Sequence, residues 1–228
     1  MRRLSAAVLV ALCTLSSPDA PLAQRGATAS YAVEIRDPAG APLENAVLTL
    51  YPQDAPALAP ASARRRSPAT AIMDQRNRQF IPHVLPVQRG TAVTFPNSDN
   101  MRHHVYSFSP AKRFELKLYS GLPPQPIVFD EAGEVVLGCN IHDQMIGYVY
   151  VVETPFFAAT EGRGLAQVGA LAAGRYRVEI WHPHGVATPV RYEIVLAEGE
   201  QRSDARQLEL RRKGVHGSEA AAPQPEYE

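Results

Sequence analysis

The segment LGCNIHDQMIG, Leu137 to Gly147, sets Cys139, His142 and Met145 at even intervals on one short loop. Spaced Cys-x2-His-x2-Met, they offer a thiolate, an imidazole and a thioether to a single cation. Thiolate and imidazole together suit a metal of intermediate softness. Two His and one Cys in a plane, with a weak axial Met, form the donor set of a blue-copper centre that exchanges electrons. Zinc is disfavoured, because its sites draw on Cys, His and carboxylates and rarely on Met. A second imidazole must come from elsewhere. His103 and His104, of which His103 lies 36 residues before the cysteine, are the supply. Neighbours on a strand face opposite sides, so only one of the two can point at a metal. His103 is the expected ligand and His104 the alternative.

The rarity of the thiol points the same way. The chain has 2 cysteines, Cys13 and Cys139. Cys13 lies in an apolar run, Leu4 to Leu15, behind Arg2 and Arg3 and ahead of small residues that offer cleavage after Ala23 or Ala29. Residues 1–23 therefore read as a secretory signal peptide, and the mature chain is expected to be exported to the periplasm. A lipoprotein would acylate Cys13, but Leu12 before it is larger than such sites prefer. Without the signal, Cys139 stands alone. It cannot form an internal disulfide, and an unprotected thiol in an oxidising compartment oxidises. Burial or metal coordination would protect it.

Composition narrows the classes. The 23 basic and 23 acidic residues balance to zero, so nothing calls for nucleic acid, and the run Arg64 to Arg66 sits in a Pro/Ala stretch as a solvated spot. No other apolar run approaches the roughly 20 residues of a membrane-spanning helix, so no membrane span is expected. Twenty prolines, fifteen glycines and runs of Val, Ile, Tyr and Phe favour strands over helices.

The elements that must hold the ligands follow from alternation and turns. Tyr31, Val33 and Ile35 alternate into a turn at Asp37–Gly40, and a second strand runs through Val47, Leu48 and Leu50. Residues 53–68 are a Pro/Ala linker without periodicity. From residue 71 short strands recur, two joined at Arg89-Gly90, then Arg102 to Ser109, Phe114 to Gly121, and GEVVLGC and YVYVVE on either side of the loop. A final pair is expected around PVRYEIVLAEG and RQLELRR, and 213–228 reads as a disordered tail. Short strands at about ten-residue intervals predict a sandwich or small barrel. His83, His182 and His184 are assigned to structure, since no Cys, Asp or Glu stands beside them at ligand spacing.

Residues 69–153 resemble a cupredoxin of the amicyanin and plastocyanin type, of the kind labelled methylamine-utilisation proteins. The resemblance is carried by the Cys-x2-His-x2-Met loop and by VTFPNSDNMRHHV, in which an Asn precedes the ligand His by six residues. Counted from Asn97, the ligand is His103. His104 falls where the family has an Asn that braces the loop, which makes His104 and Asn97 neighbours of the centre. The resemblance implies an all-β Greek-key sandwich and one type 1 copper held by His103, Cys139, His142 and Met145. It further implies electron transfer to a transient redox protein partner, not enzymatic turnover. Electrons would leave through His142 within an apolar patch of Met101, Ile141 and Ile146. The flanks, 30–52 and 154–212, resemble a transthyretin-like or carboxypeptidase-regulatory sandwich, split by the inserted cupredoxin. A copper carrier or storage protein, and a non-redox envelope binding module, are the competing readings.

Overall fold

Apolar residues on every second position bury one face of each long strand. In β1 (Ala29–Arg36) Tyr31, Val33 and Ile35 are fully buried, while Ala32, Glu34 and Arg36 are partly exposed. The chain is known from a computed structural model that describes residues 27–54, 69–123 and 125–211. Among the described residues it is all-β. The signal segment 1–23, most of the linker and the tail 213–228 lie outside them.

Strand β1 is the middle of a three-stranded sheet, antiparallel to β14 (Leu165–Leu171) and parallel to β17 (Gln201–Gln207). Strand β2 (Val47–Pro52) lies inside a second sheet, in the order β13 (Phe157–Ala159), β2, β15 (Gly174–Trp181), β16 (Val190–Leu196). These two sheets enclose one core, with Tyr31, Ile35, Leu48, Leu50, Val178 and Ile180 at its centre. β17 differs from expectation. It covers QRSDARQ, five residues before the anticipated RQLELRR, and no apolar pattern marks it. Its backbone is ordered by the parallel ladder to β1 rather than by burial of alternate apolar side chains.

Residues 70–152 build a second pair of sheets. One has the order β6 (Val84–Gln88), β12 (Ile146–Val152), β11 (Gly133–Gly138), β8 (His103–Ser109), β9 (Lys112–Tyr119). The other has the order β10 (Ile127–Phe129), β7 (Thr91–Thr94), β3 (Thr70–Ile72). Phe80, Phe95, Phe129, Leu137 and Met145 pack between them. A small hairpin of β4 (Asp74–Arg76) and β5 (Gln79–Ile81) closes one end. Its two turn residues, Asn77 and Arg78, have φ of 53° and 59°, the left-handed pair that a tight two-residue hairpin requires.

The two halves meet face to face. In β12, Val149 and Val151 point into their own core, so Tyr148 and Tyr150 point out. In β15, Val178 and Ile180 point into the other core, so Trp181 points out as well. Tyr150 stacks on Trp181 with ring centroids 4.2 Å apart and planes 8° from parallel. Val47 and Val84 complete this buried junction. Apolar packing of this kind couples the halves without any strand passing between their sheets.

Candidate metal centre

The loop between β11 and β12 is folded by two successive turns. The His142 N–H donates to the Cys139 carbonyl (3.3 Å), and the Met145 N–H donates to the His142 carbonyl (2.8 Å). Cys139, His142 and Met145 are thus the corners of one compact bend at an end of the sandwich. Cys139 and Met145 are buried in the same core, at 3% and 1% exposure, whereas His142 is half-buried. β8 lies beside β11, with Gly138 opposite Tyr106, and delivers a fully buried His103 to the same point. At Gly138 a Cβ would lie 2.7 Å from the Tyr106 ring, so the absent side chain is what lets the two strands close here.

The resulting geometry is specific. Cys139 Sγ lies 3.8 Å from His103 Nδ1 and 3.7 Å from His142 Nδ1. His103, Cys139 and His142 are the one such cluster of three ligand-type side chains found among the described residues. Two donors sharing one ion at about 2.0 Å (N) and 2.3 Å (S) sit about 3.7 Å apart at 120° and about 3.5 Å apart at a tetrahedral angle. The observed spacings of 3.8 and 3.7 Å are those of side chains able to share one ion. The donor set fits copper: two imidazoles, one thiolate and a buried thioether alongside.

The orientation of His103 is fixed from behind. Its Nε2–H donates to Asp99 Oδ2 at 2.7 Å, which leaves Nδ1 with its lone pair toward the sulfur. Asp99 is itself held, accepting the N–H groups of Asn77 (2.6 Å) and Arg78 (2.9 Å) at the hairpin turn. Partial burial would raise the Asp99 pKa. The Arg78 N–H, the His103 ring and the Asn77 N–H outweigh it and hold the carboxyl below its usual range. Asn97 braces the connecting loop, its Nδ2 donating to the Met101 and Tyr119 carbonyls and its Oδ1 accepting the Asp99 N–H. His104 faces the other way. Its Nε2 pairs with Glu115 at 3.0 Å and its ring stands edge-on to Tyr106, outside the cluster.

Asp99 is the residue that reading by spacing misses. Its only sequence signal is a carboxylate four residues before His103, and its partners at 77 and 78 come from a hairpin that the apolar pattern does not reveal. The expected patch residues Met101, Ile141 and Ile146 are 40%, 50% and 42% exposed, with Leu122 exposed as well. Two shallow depressions flank the loop. One of about 420 Å³ is lined by Tyr106, Phe108, Val136, Ile146 and Cys139; another of about 410 Å³ lies between Asn77, Arg78, His142 and Met145. His83, His182 and His184 lie away from the cluster, near the junction of the two halves.

No protein-family model matches the chain, and no curated protein matches it. Among solved structures, a reduced amicyanin variant aligns with a TM-score of 0.33 at 23% identity, covering 45% of this chain and 98% of that one. A pseudoazurin from Sinorhizobium meliloti aligns at 0.30 and 19%, covering 38% and 76%. A copper-containing nitrite reductase from Thermus scotoductus aligns at 0.36 and 27%, covering 42% of this chain and 27% of its own. Likeness at these scores decides nothing about this chain.

Proposed function

We propose that the protein is an exported type 1 copper protein that carries single electrons between redox partners. The observation behind this is one buried thiol with two imidazole Nδ1 atoms at 3.7 and 3.8 Å. His103, Cys139 and His142 would hold the ion, and the buried thioether of Met145 on the same loop would be its weak further donor. Copper bound there supplies one-electron exchange between its two oxidation states. Asp99 keeps His103 in the tautomer that binds and limits its rotation, so the donor set changes little between states. His142, half-buried beside Ile141, Met101 and Ile146, is the ligand a transient protein partner can approach. Residues 69–153 form the copper domain in this reading. Residues 30–52 with 154–212 form a transthyretin-like sandwich that packs against the β6 and β12 side of its larger sheet.

Addition of Cu(II) to the metal-free protein tests the proposal. An intense visible band and a reversible one-electron titration are expected. Ready release of Cu(I) to an acceptor protein, without reversible cycling, would favour copper carriage instead.

Two substitutions test the ligand roles. His103→Ala is expected to lose or severely distort the visible band. His104→Ala is expected to keep it, because His104 contacts Glu115 and Tyr106 rather than the thiol. The opposite result would shift the register by one residue. Met145→Leu is expected to retain copper and raise the reduction potential, since a weak donor that favours Cu(II) is removed. Voltammetry reads the sign, and a fall in potential would exclude Met145 as the axial ligand.

A further inference from the structure

The junction between the two halves is edged by three histidines, of which only one is buried. His182 is 5% exposed and follows Trp181 directly, whereas His184 and His83 stand at the rim. Both nitrogens of His182 are engaged. Nδ1 accepts the backbone N–H of His184 (3.1 Å), which assigns the proton to Nε2, and Nε2–H donates to the Glu44 carbonyl (3.1 Å). This is a neutral ring with no room for a second proton. Protonation of Nδ1 would set two donors against each other and open the turn that the His182 carbonyl closes with Gly185 N–H (2.9 Å).

That turn carries the junction. The rings on either side of His182, Trp181 and His184, both lie edge-on to Tyr148, each with centroids 6.2 Å away, and His83 packs edge-on to the same ring at 5.4 Å. The charges around His182 do not favour a cation. The rings of His184 and His83 stand near enough to disfavour a positive charge on His182, and the backbone N–H of Arg211 donates to the His184 carbonyl. Tyr148 is neutral at these pH values. The carboxyl of Glu44 lies toward Gly162, leaving only the Glu44 carbonyl for the ring.

We propose that His182 makes the junction acid-sensitive: protonation of its ring undocks the flanking sandwich from the copper domain and uncovers the Tyr148 and Tyr150 face. Burial, and secondarily the charges of His184 and His83, depress the His182 pKa to about 4 in the docked state, against about 6.5 when the ring is free. The free ring therefore binds the proton more readily. Docking is at full strength above about pH 6.5 and weakens as pH falls, by up to tenfold per unit, until about pH 4.

Trp181 is the sole tryptophan of the chain, so its emission reports the junction directly. The full metal-free chain is titrated from pH 8 to pH 4 while fluorescence, far-UV dichroism and the His182 ring proton resonances are followed. The expected result is a red shift of Trp181 emission with one-proton steepness, unchanged dichroism, and a midpoint shared with His182. His182→Gln keeps a donor for Glu44 but cannot titrate, and should abolish the shift. If this variant is already red-shifted at pH 8, agreement of the two wild-type midpoints decides. Constant emission down to pH 4, a shift that persists in His182→Gln, disagreement of the midpoints, or loss of strand dichroism over the same range would each overturn the proposal.

Discussion

Replacing Cys139 by Ser is expected to abolish the intense visible band of the Cu(II) protein while leaving far-UV dichroism unchanged. The band requires the thiolate, and no other cysteine is present in residues 14–228 to replace it. The fold does not require it. Cys139 is one of fourteen buried residues in its core, and serine nearly matches its size. With the imidazole nitrogens 3.7 and 3.8 Å from the sulfur, too far to bond a hydroxyl directly, the expected loss of stability is about 1–3 kcal/mol. A colourless wild-type protein under the same conditions would end the copper reading, whatever the variant does.

Removing residues 27–54 is expected to unfold the flanking strands and spare the copper centre. The deletion takes β1 and β2, each of which lies between two partners in its sheet. Strands β14 and β17 are joined only through β1, and β13 reaches β15 only through β2. Eight core residues leave with them, from Ala29 to Leu50, including the fully buried Tyr31, Ile35 and Leu48. At roughly 1.5–3 kcal/mol for each large buried side chain, the loss exceeds the whole stability of an ordinary domain. Limited proteolysis should therefore cut freely within 156–211, while the visible band survives. Protection of 156–211 would disprove the dependence on β1 and β2. Loss of the band would show that the flanking sandwich supports the centre through the junction. A fragment of residues 69–153 is expected to bind copper but to self-associate, because Val84, Tyr148 and Tyr150 lose their cover.

The centre was legible where chemistry is local and obscure where it is not. Cys139, His142 and Met145 occupy one loop, so their spacing alone brings them together. Strand alternation left only one of His103 and His104 for that face, and the six-residue count from Asn97 in the cupredoxin-like segment selected His103. Asp99 stayed hidden because its role depends on a hairpin 21 and 22 residues upstream whose turn is set by left-handed Asn77 and Arg78. Such a contact belongs to tertiary packing, not to periodicity. Among the strands, Tyr31 to Ile35 announced themselves by alternation. β17 did not, since hydrogen bonding to β1 orders it without apolar residues. The junction was equally silent: Tyr148, Tyr150 and Trp181 read as strand residues, and nothing in their spacing tells which aromatic faces a partner sheet.

The parallel ladder between β1 and β17 joins residues some 170 positions apart, Ser30 with Gln201 and Arg36 with Gln207. A chain emerging from its amino end must carry β1 unpaired until nearly everything else has arrived. Its other partner, β14, comes little earlier. Contacts of such separation are slow to find, because the entropy of closing the intervening loop is lost before any hydrogen bond rewards it. The inserted strands, β3 to β12, have no such handicap, for every ladder they make is among themselves. Folding first, they would draw Pro52 and Phe157 together and turn a long flexible loop into a short rigid one. The inserted half would then act as an internal template that lets the outer sandwich close. Until it does, the apolar edge of β1 is the segment of the nascent protein most in need of a chaperone.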